Sequence, residues 1–96
     1  MTLVLGVRWV ARQGEEERVA ELLRQATGPT RAEPGCLEYE PHRSPDDPRV
    51  FFLFERWVDE DALRAHESSA HVQELLFGEA LSLLDERERT YWAPLA

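Results

Sequence analysis

The sequence predicts an α+β fold in which a four-stranded antiparallel sheet carries helices on one face. Three observations lead there. Segments with the two-residue period of strands and segments with helical period follow one another in the order strand, helix, strand, strand, two helices, strand. A cluster of turn formers, Ser44-Pro45-Asp46-Asp47-Pro48, joins the second and third strand segments as a hairpin. The segment Phe51–Trp57 is apolar on both faces, with Phe52 and Phe54 on one and Phe51, Leu53 and Trp57 on the other, so both need covering.

Each element has its own signal. Leu3 to Ala11 alternates Leu3, Leu5, Val7 and Trp9 against Val4, Gly6, Arg8 and Val10, a strand with one fully apolar face. Gln13-Gly14 turns the chain. Glu15 to Thr27 is an amphipathic helix, with acids in its first turn and a stripe of Val19, Leu22, Leu23 and Ala26. Gly28-Pro29 is expected to kink or end it, although Thr30 to Glu33 has the composition to continue as far as Pro34-Gly35. Cys36 to Arg43 is the second strand and Val50 to Val58 the third. Asp59 then caps a short helix: Glu60 and Asp61 suit the positive end of its dipole, and Ala62, Leu63 and His66 share one face. After Ser68-Ser69, Ser69 is expected to cap a third helix with Val72, Leu75, Leu76, Ala80, Leu83 and Leu84 on a broad buried face. Arg87 to Leu95 is expected to be the last strand, with Pro94 confined to an edge or an end. The order βαββ(αα)β is a ferredoxin-like sandwich, in which helices cover one sheet face and a second subunit is expected to cover the other.

Composition narrows the function. The 96 residues, 43% of them hydrophobic, suffice for a single domain spanning 1–96, small enough that subunit association is a usual source of extra core. Eleven basic residues, all arginine, against nineteen acidic ones give a net charge of −8, which disfavours nucleic acid and anionic membrane as partners. The lone Cys36 allows no internal disulfide, no leader precedes Leu3 and no apolar run approaches the roughly 20 residues of a membrane span; a cytoplasmic location is expected.

The stretches Glu33-Pro34-Gly35-Cys36-Leu37-Glu38-Tyr39-Glu40 and Phe52-Leu53-Phe54-Glu55-Arg56-Trp57, followed by Ala62-Leu63, His66 and His71, resemble the antibiotic biosynthesis monooxygenase domain family over nearly the whole chain. The resemblance implies a homodimeric α/β barrel. It also implies a pocket between sheet and helices where quinols or anthrone-like polyketides react with O₂ without metal or flavin. The chain departs from some branches. Those that oxygenate polyketide anthrones carry an Asn and a Tyr where this chain has Leu53 and Leu63, and keep in common only Trp57. Haem-degrading relatives carry a Trp where this chain has His66, and nothing here matches their haem-ligating His. The stretch Glu55 to His71 also resembles a branch that isomerises a phosphorylated signalling sugar.

Oxygenation without a cofactor needs a base that makes the substrate an electron-rich anion, in a dry pocket. His66 is the candidate base, since its ordinary pKa near 6.5 suits proton transfer around neutrality; the competing reading is a buried structural histidine. Trp57 is a candidate aromatic wall and N–H donor, or plain core. Glu55, on the same strand face, either pairs with an arginine, Arg8 being one candidate, or orients a pocket group. Tyr39, Phe51, Leu53, Leu63 and Tyr91 are the candidate substrate-lining residues. No metal site is expected, because His66 and His71 straddle a helix break with no Cys or third His to complete a ligand set. No cofactor is expected either, the chain having no Gly-rich phosphate loop. Cys36 reads as a small buried hydrophobe. The expected function is a monooxygenase acting on a small aromatic or quinol with O₂; a non-catalytic ligand-binding dimer and an isomerase of a small sugar-like signal are the alternatives.

Overall fold

The computed structural model describes residues 2–96. Its elements are β1 (Leu3–Ala11), α1 (Glu16–Arg31), β2 (Cys36–Arg43), β3 (Val50–Trp57), α2 (Glu60–Ser68), α3 (Val72–Phe77) and, after a 3₁₀ turn at Ala80–Leu83, β4 (Leu84–Trp92). The sheet order is β2-β3-β1-β4 and every neighbouring pair is antiparallel, the ferredoxin-like α+β arrangement expected from the element order. Leu5, Val7 and Trp9 of β1 and Leu53 and Trp57 of β3 face the helices and form the core with the α1 stripe and with Leu63, Val72 and Leu76.

Three boundaries differ from the sequence expectation. Helix α1 passes through Pro29 to Arg31. Proline leaves one helical carbonyl without its donor, but tertiary contacts hold the last turn: Thr30 is fully buried and the Arg31 guanidinium donates from Nε to the Tyr39 carbonyl at 2.9 Å. The expected third helix is broken into the π-helical α3 and the 3₁₀ turn, and Leu84 belongs to β4. Ser69 does not cap it with its side chain; Ser69 Oγ donates back to the His66 carbonyl at 2.6 Å and closes α2. Strand β4 starts at Leu84, where it pairs with Ala11, and stops at Trp92, two residues short of Pro94, which has no N–H for the ladder.

On the face away from the helices, Phe52 is 45% and Trp92 61% exposed, flanking Gly6 and Phe54. Arg8 lies on this outer face, 3.9 Å from Glu86, and so is on the wrong side of the sheet to partner Glu55. No helix among the described residues is long and apolar enough to cross a membrane.

Candidate functional site

Between the inner sheet face and the α2–α3 segment lies a cavity of about 440 Å³. Leu5, Val7, Trp9 and Leu53 form its floor, and Leu63, Val72 and Leu76 close it from above. Its polar groups gather at one end: Tyr39 from β2, Glu55 from β3 and His66 from α2. Arg87, Glu88 and Arg89 of β4, with Glu67, form the rim, where Arg89 meets Glu67 at 2.7 Å.

Local sequence explains how these groups arrive. Asp59 caps α2 as expected, its carboxylate accepting the Ala62 N–H at 2.8 Å, and this sets the helical phase that turns Leu63 and His66 inward. A bulge between Cys36 and Glu38 interrupts the β2–β3 register, so that Cys36 opposite Trp57 and Tyr39 opposite Glu55 both face the helices. Unbroken alternation from Cys36 would turn Tyr39 outward.

Glu55 is buried and takes its hydrogen bond from an indole: Trp57 Nε1–H donates to Glu55 Oε1 at 3.0 Å. Burial pushes the Glu55 carboxyl up to about 7, against the pull of the Trp57 hydrogen bond and the Arg89 charge. Of the two roles open to Glu55, an arginine ion pair is therefore not the one observed among the described residues. The Tyr39 phenol is held protonated far above its ordinary value, first by burial and then by the nearby Glu55 carboxylate. Its hydroxyl is buried without a hydrogen-bond partner among the described residues, a donor that native structures seldom leave unmatched. His66 packs its ring 4.5 Å from Trp57 and 5.9 Å from Tyr39, centroid to centroid. Burial lowers its pKa, opposed by a hydrogen bond to Glu33.

Glu33 is the site residue that sequence reasoning did not single out. It lies in the turn from α1 to β2, and its Oε2 accepts from His66 Nδ1 at 2.7 Å and from His71 Nε2 at 2.9 Å. The neighbouring Gly35 makes this reach possible. A Cβ there would collide with the Ala62 side chain, so only glycine lets the turn approach α2 this closely. The Glu33-Pro34-Gly35 turn itself was the available signal, since a glycine between turn and strand marks a close backbone approach.

The remaining candidates fall elsewhere. Trp57 is fully buried behind His66 and Glu55 and does not line the cavity. Phe51 lies beyond its end, beneath the Arg43 guanidinium at 5.0 Å, in a shallower depression against α1. Tyr91 is 57% exposed beside Arg89, outside the cavity wall. Tyr39, Leu53, Leu63, Glu55 and His66 line one space together. Burial raises the Cys36 thiol above its ordinary pKa, in keeping with a packing role.

Glu33, His66 and His71 put three metal-type donor atoms within 4.8 Å of one another, although no metal site was expected from sequence. Ligands sharing a tetrahedral ion at 2.0–2.1 Å stand about 3.3 Å apart. The 2.7 and 2.9 Å separations here are those of direct hydrogen bonds from the two rings to the Glu33 carboxylate.

Comparison with known proteins agrees with this architecture. Residues 2–76 match the family described as antibiotic biosynthesis monooxygenase. Among solved structures, PA3566 from Pseudomonas aeruginosa is 31% identical with a TM-score of 0.92, covering 99% of this chain and 95% of its own. Rv0793 from Mycobacterium tuberculosis is 30% identical with a TM-score of 0.92, covering 100% and 97%. A structure described as an antibiotic biosynthesis monooxygenase, 23% identical, shares the fold with a TM-score of 0.91 over 98% and 99%. No curated protein matches the chain.

Proposed function

The chain belongs to the antibiotic biosynthesis monooxygenase family, and from that premise we propose that it oxygenates a small hydroxylated aromatic, a quinol or an anthrone-like compound, with O₂ and without a bound cofactor. The observation that carries the reading is the composition of one end of the cavity. The His66 imidazole with its Nδ1 turned to Glu33, the buried Glu55 carboxyl and the Tyr39 hydroxyl, which has no partner among the described residues, meet there beside an apolar floor. A flat apolar ring system fits the floor, and its hydroxyl meets the polar end.

In this reading His66 Nε2 takes the substrate proton while the electron pair stays on the ring, and the Tyr39 hydroxyl donates to the oxyanion that forms. Burial keeps His66 neutral and ready to accept. The electron-rich anion then reduces O₂. For a ring CH₂ the balance is one carbonyl and one water formed, one oxygen atom entering the product. Glu55, held by Trp57, is the second group that exchanges a proton as the substrate's charge changes. Leu53 and Leu63 supply packing against the ring. The proposal includes a homodimer formed through the sheet face that the helices leave open, because Phe52 and Trp92 stand exposed there on a chain of this size. O₂ uptake with a panel of hydroquinones and anthrones tests the reading; conversion without O₂ uptake would favour isomerisation, and binding without conversion a ligand carrier.

A further inference from the structure

We propose that Glu33 and His71 are positioning residues that fix His66 as the tautomer carrying hydrogen on Nδ1, leaving Nε2 bare toward the cavity. Its catalytic meaning rests on the reading of His66 as proton acceptor; the tautomer itself does not.

A carboxylate oxygen only accepts hydrogen bonds, so each ring nitrogen that faces it is the protonated one. Glu33 Oε2 faces His66 Nδ1 at 2.7 Å and His71 Nε2 at 2.9 Å. Glu33 and His71 do not line the cavity, whereas His66 does, which leaves Nε2 as the nitrogen His66 offers to a substrate. The arrangement is contacted from several sides. His71 is the second donor that keeps the carboxylate from turning away, and Ser69 Oγ stands 3.3 Å from the same His71 nitrogen. Gly35 against Ala62 sets the height of the Glu33 turn, and Trp57 and Tyr39 pack against the His66 ring. The other ionisable groups near the ring are Glu67 on its own helix, Glu55 from β3 and Tyr39 from β2, and none of them hydrogen-bonds the imidazole among the described residues.

The chemical consequence is directional. When the substrate's O–H or C–H bond breaks, its proton goes to Nε2 and its electron pair stays on the substrate; the imidazolium then faces the Glu33 carboxylate across the existing short bond. The opposite tautomer would present an N–H to the substrate and accept nothing. Glu33 thus stabilises the charged histidine only after transfer, and the bond that does so is already formed in the free protein.

The test is histidine nitrogen NMR on the isotope-labelled protein near neutral pH, which reads the tautomer without any substrate. We expect hydrogen on Nδ1 and a bare Nε2 for His66 in the wild type, loss of that bias in Glu33→Gln, and a smaller loss in His71→Phe. A wild-type His66 with hydrogen on Nε2 overturns the proposal whatever the variants do. So does a stoichiometric zinc-dependent shift of both rings at micromolar ion, which would make the cluster a metal site. Where a substrate is turned over, Glu33→Gln is expected to lower kcat by roughly 10²-fold or more at near-constant KM, with Glu33→Asp recovering part. An unchanged kcat overturns the positioning role and spares the oxygenase reading. The expected tautomer together with no O₂ uptake overturns that reading and supports the assignment made here.

Discussion

Trp57 donates its indole N–H to the Glu55 carboxylate at 3.0 Å, two residues away on the same strand face, and this is the hydrogen bond that the buried Glu55 side chain receives among the described residues. One neutral donor does not offset the loss of water around a charge, so the carboxyl titrates near 7.

The pH dependence of stability follows in sign. A carboxyl whose folded value is raised binds more protons folded than unfolded, so its contribution is fully present below its ordinary value and is lost as pH rises through about 7. A rise from 4.5 to about 7 corresponds to roughly 3 kcal/mol. Glu55→Gln is therefore expected to be more stable than wild type at about pH 8, by up to about 3 kcal/mol, with the difference shrinking toward about pH 5. His66 works in the opposite sense: its lowered value gives stability present above its ordinary pKa and lost on acidification through the folded one. Denaturant titrations at both pH values check this; equal destabilisation of the variant at each would contradict it.

Tyr39→Phe separates binding from folding. The Tyr39 hydroxyl is buried and has no partner among the described residues, so removing it is expected to leave stability unchanged or raise it by about 1 kcal/mol. The same change is expected to weaken a bound hydroquinone about 2- to 10-fold, the worth of one hydrogen bond. Calorimetry on both proteins measures it, and an unchanged Kd would remove Tyr39 from the site.

Phe52→Asp addresses assembly. Phe52 sits on the open sheet face, and a charge there is expected to convert a dimer into a monomer by light scattering at micromolar concentration. A stable dimer should bury more than roughly 1,200 Å² in total. A monomeric wild type would refute the assembly.

Gly35→Ala tests what holds Glu33 against α2. The added methyl meets Ala62, so the turn or the helix must shift, at a cost of about 1–3 kcal/mol. Guanidinium unfolding reads the cost, and the His66 nitrogen spectrum reads whether the Glu33 contact survives. Wild-type behaviour in both would show the turn to be free to move.

Much of this was legible in sequence because it is periodic or local. The α1 stripe, the alternation of β1 and β3 and the Asp59 cap are read within one element, and together they bring His66 inward opposite Leu53 and Glu55. What escaped depends on contacts between elements. Pro29 is overridden by Thr30 burial and the Arg31 bond to Tyr39, and the bulge at Leu37 re-aims Tyr39 with no composition signal of its own. Arg8 stands as one candidate partner for Glu55 in the sequence, because alternation within β1 does not by itself say which of its faces shares a side of the sheet with Glu55. Glu33 is a turn residue meeting His66 across 33 positions, a relation that no local pattern carries.

The most direct measurement is O₂ consumption by chelator-treated, flavin-free protein on hydroquinones and anthrones, run beside His66→Gln. Substrate-dependent uptake by the wild type is expected, unaffected by added metal or flavin, with a kcat lower by roughly 10²-fold or more in His66→Gln at unchanged thermal stability. Glutamine keeps approximate volume and hydrogen bonding but takes no proton near neutrality. Uptake that appears only when metal or flavin is added, or wild-type turnover in His66→Gln, would contradict this expectation.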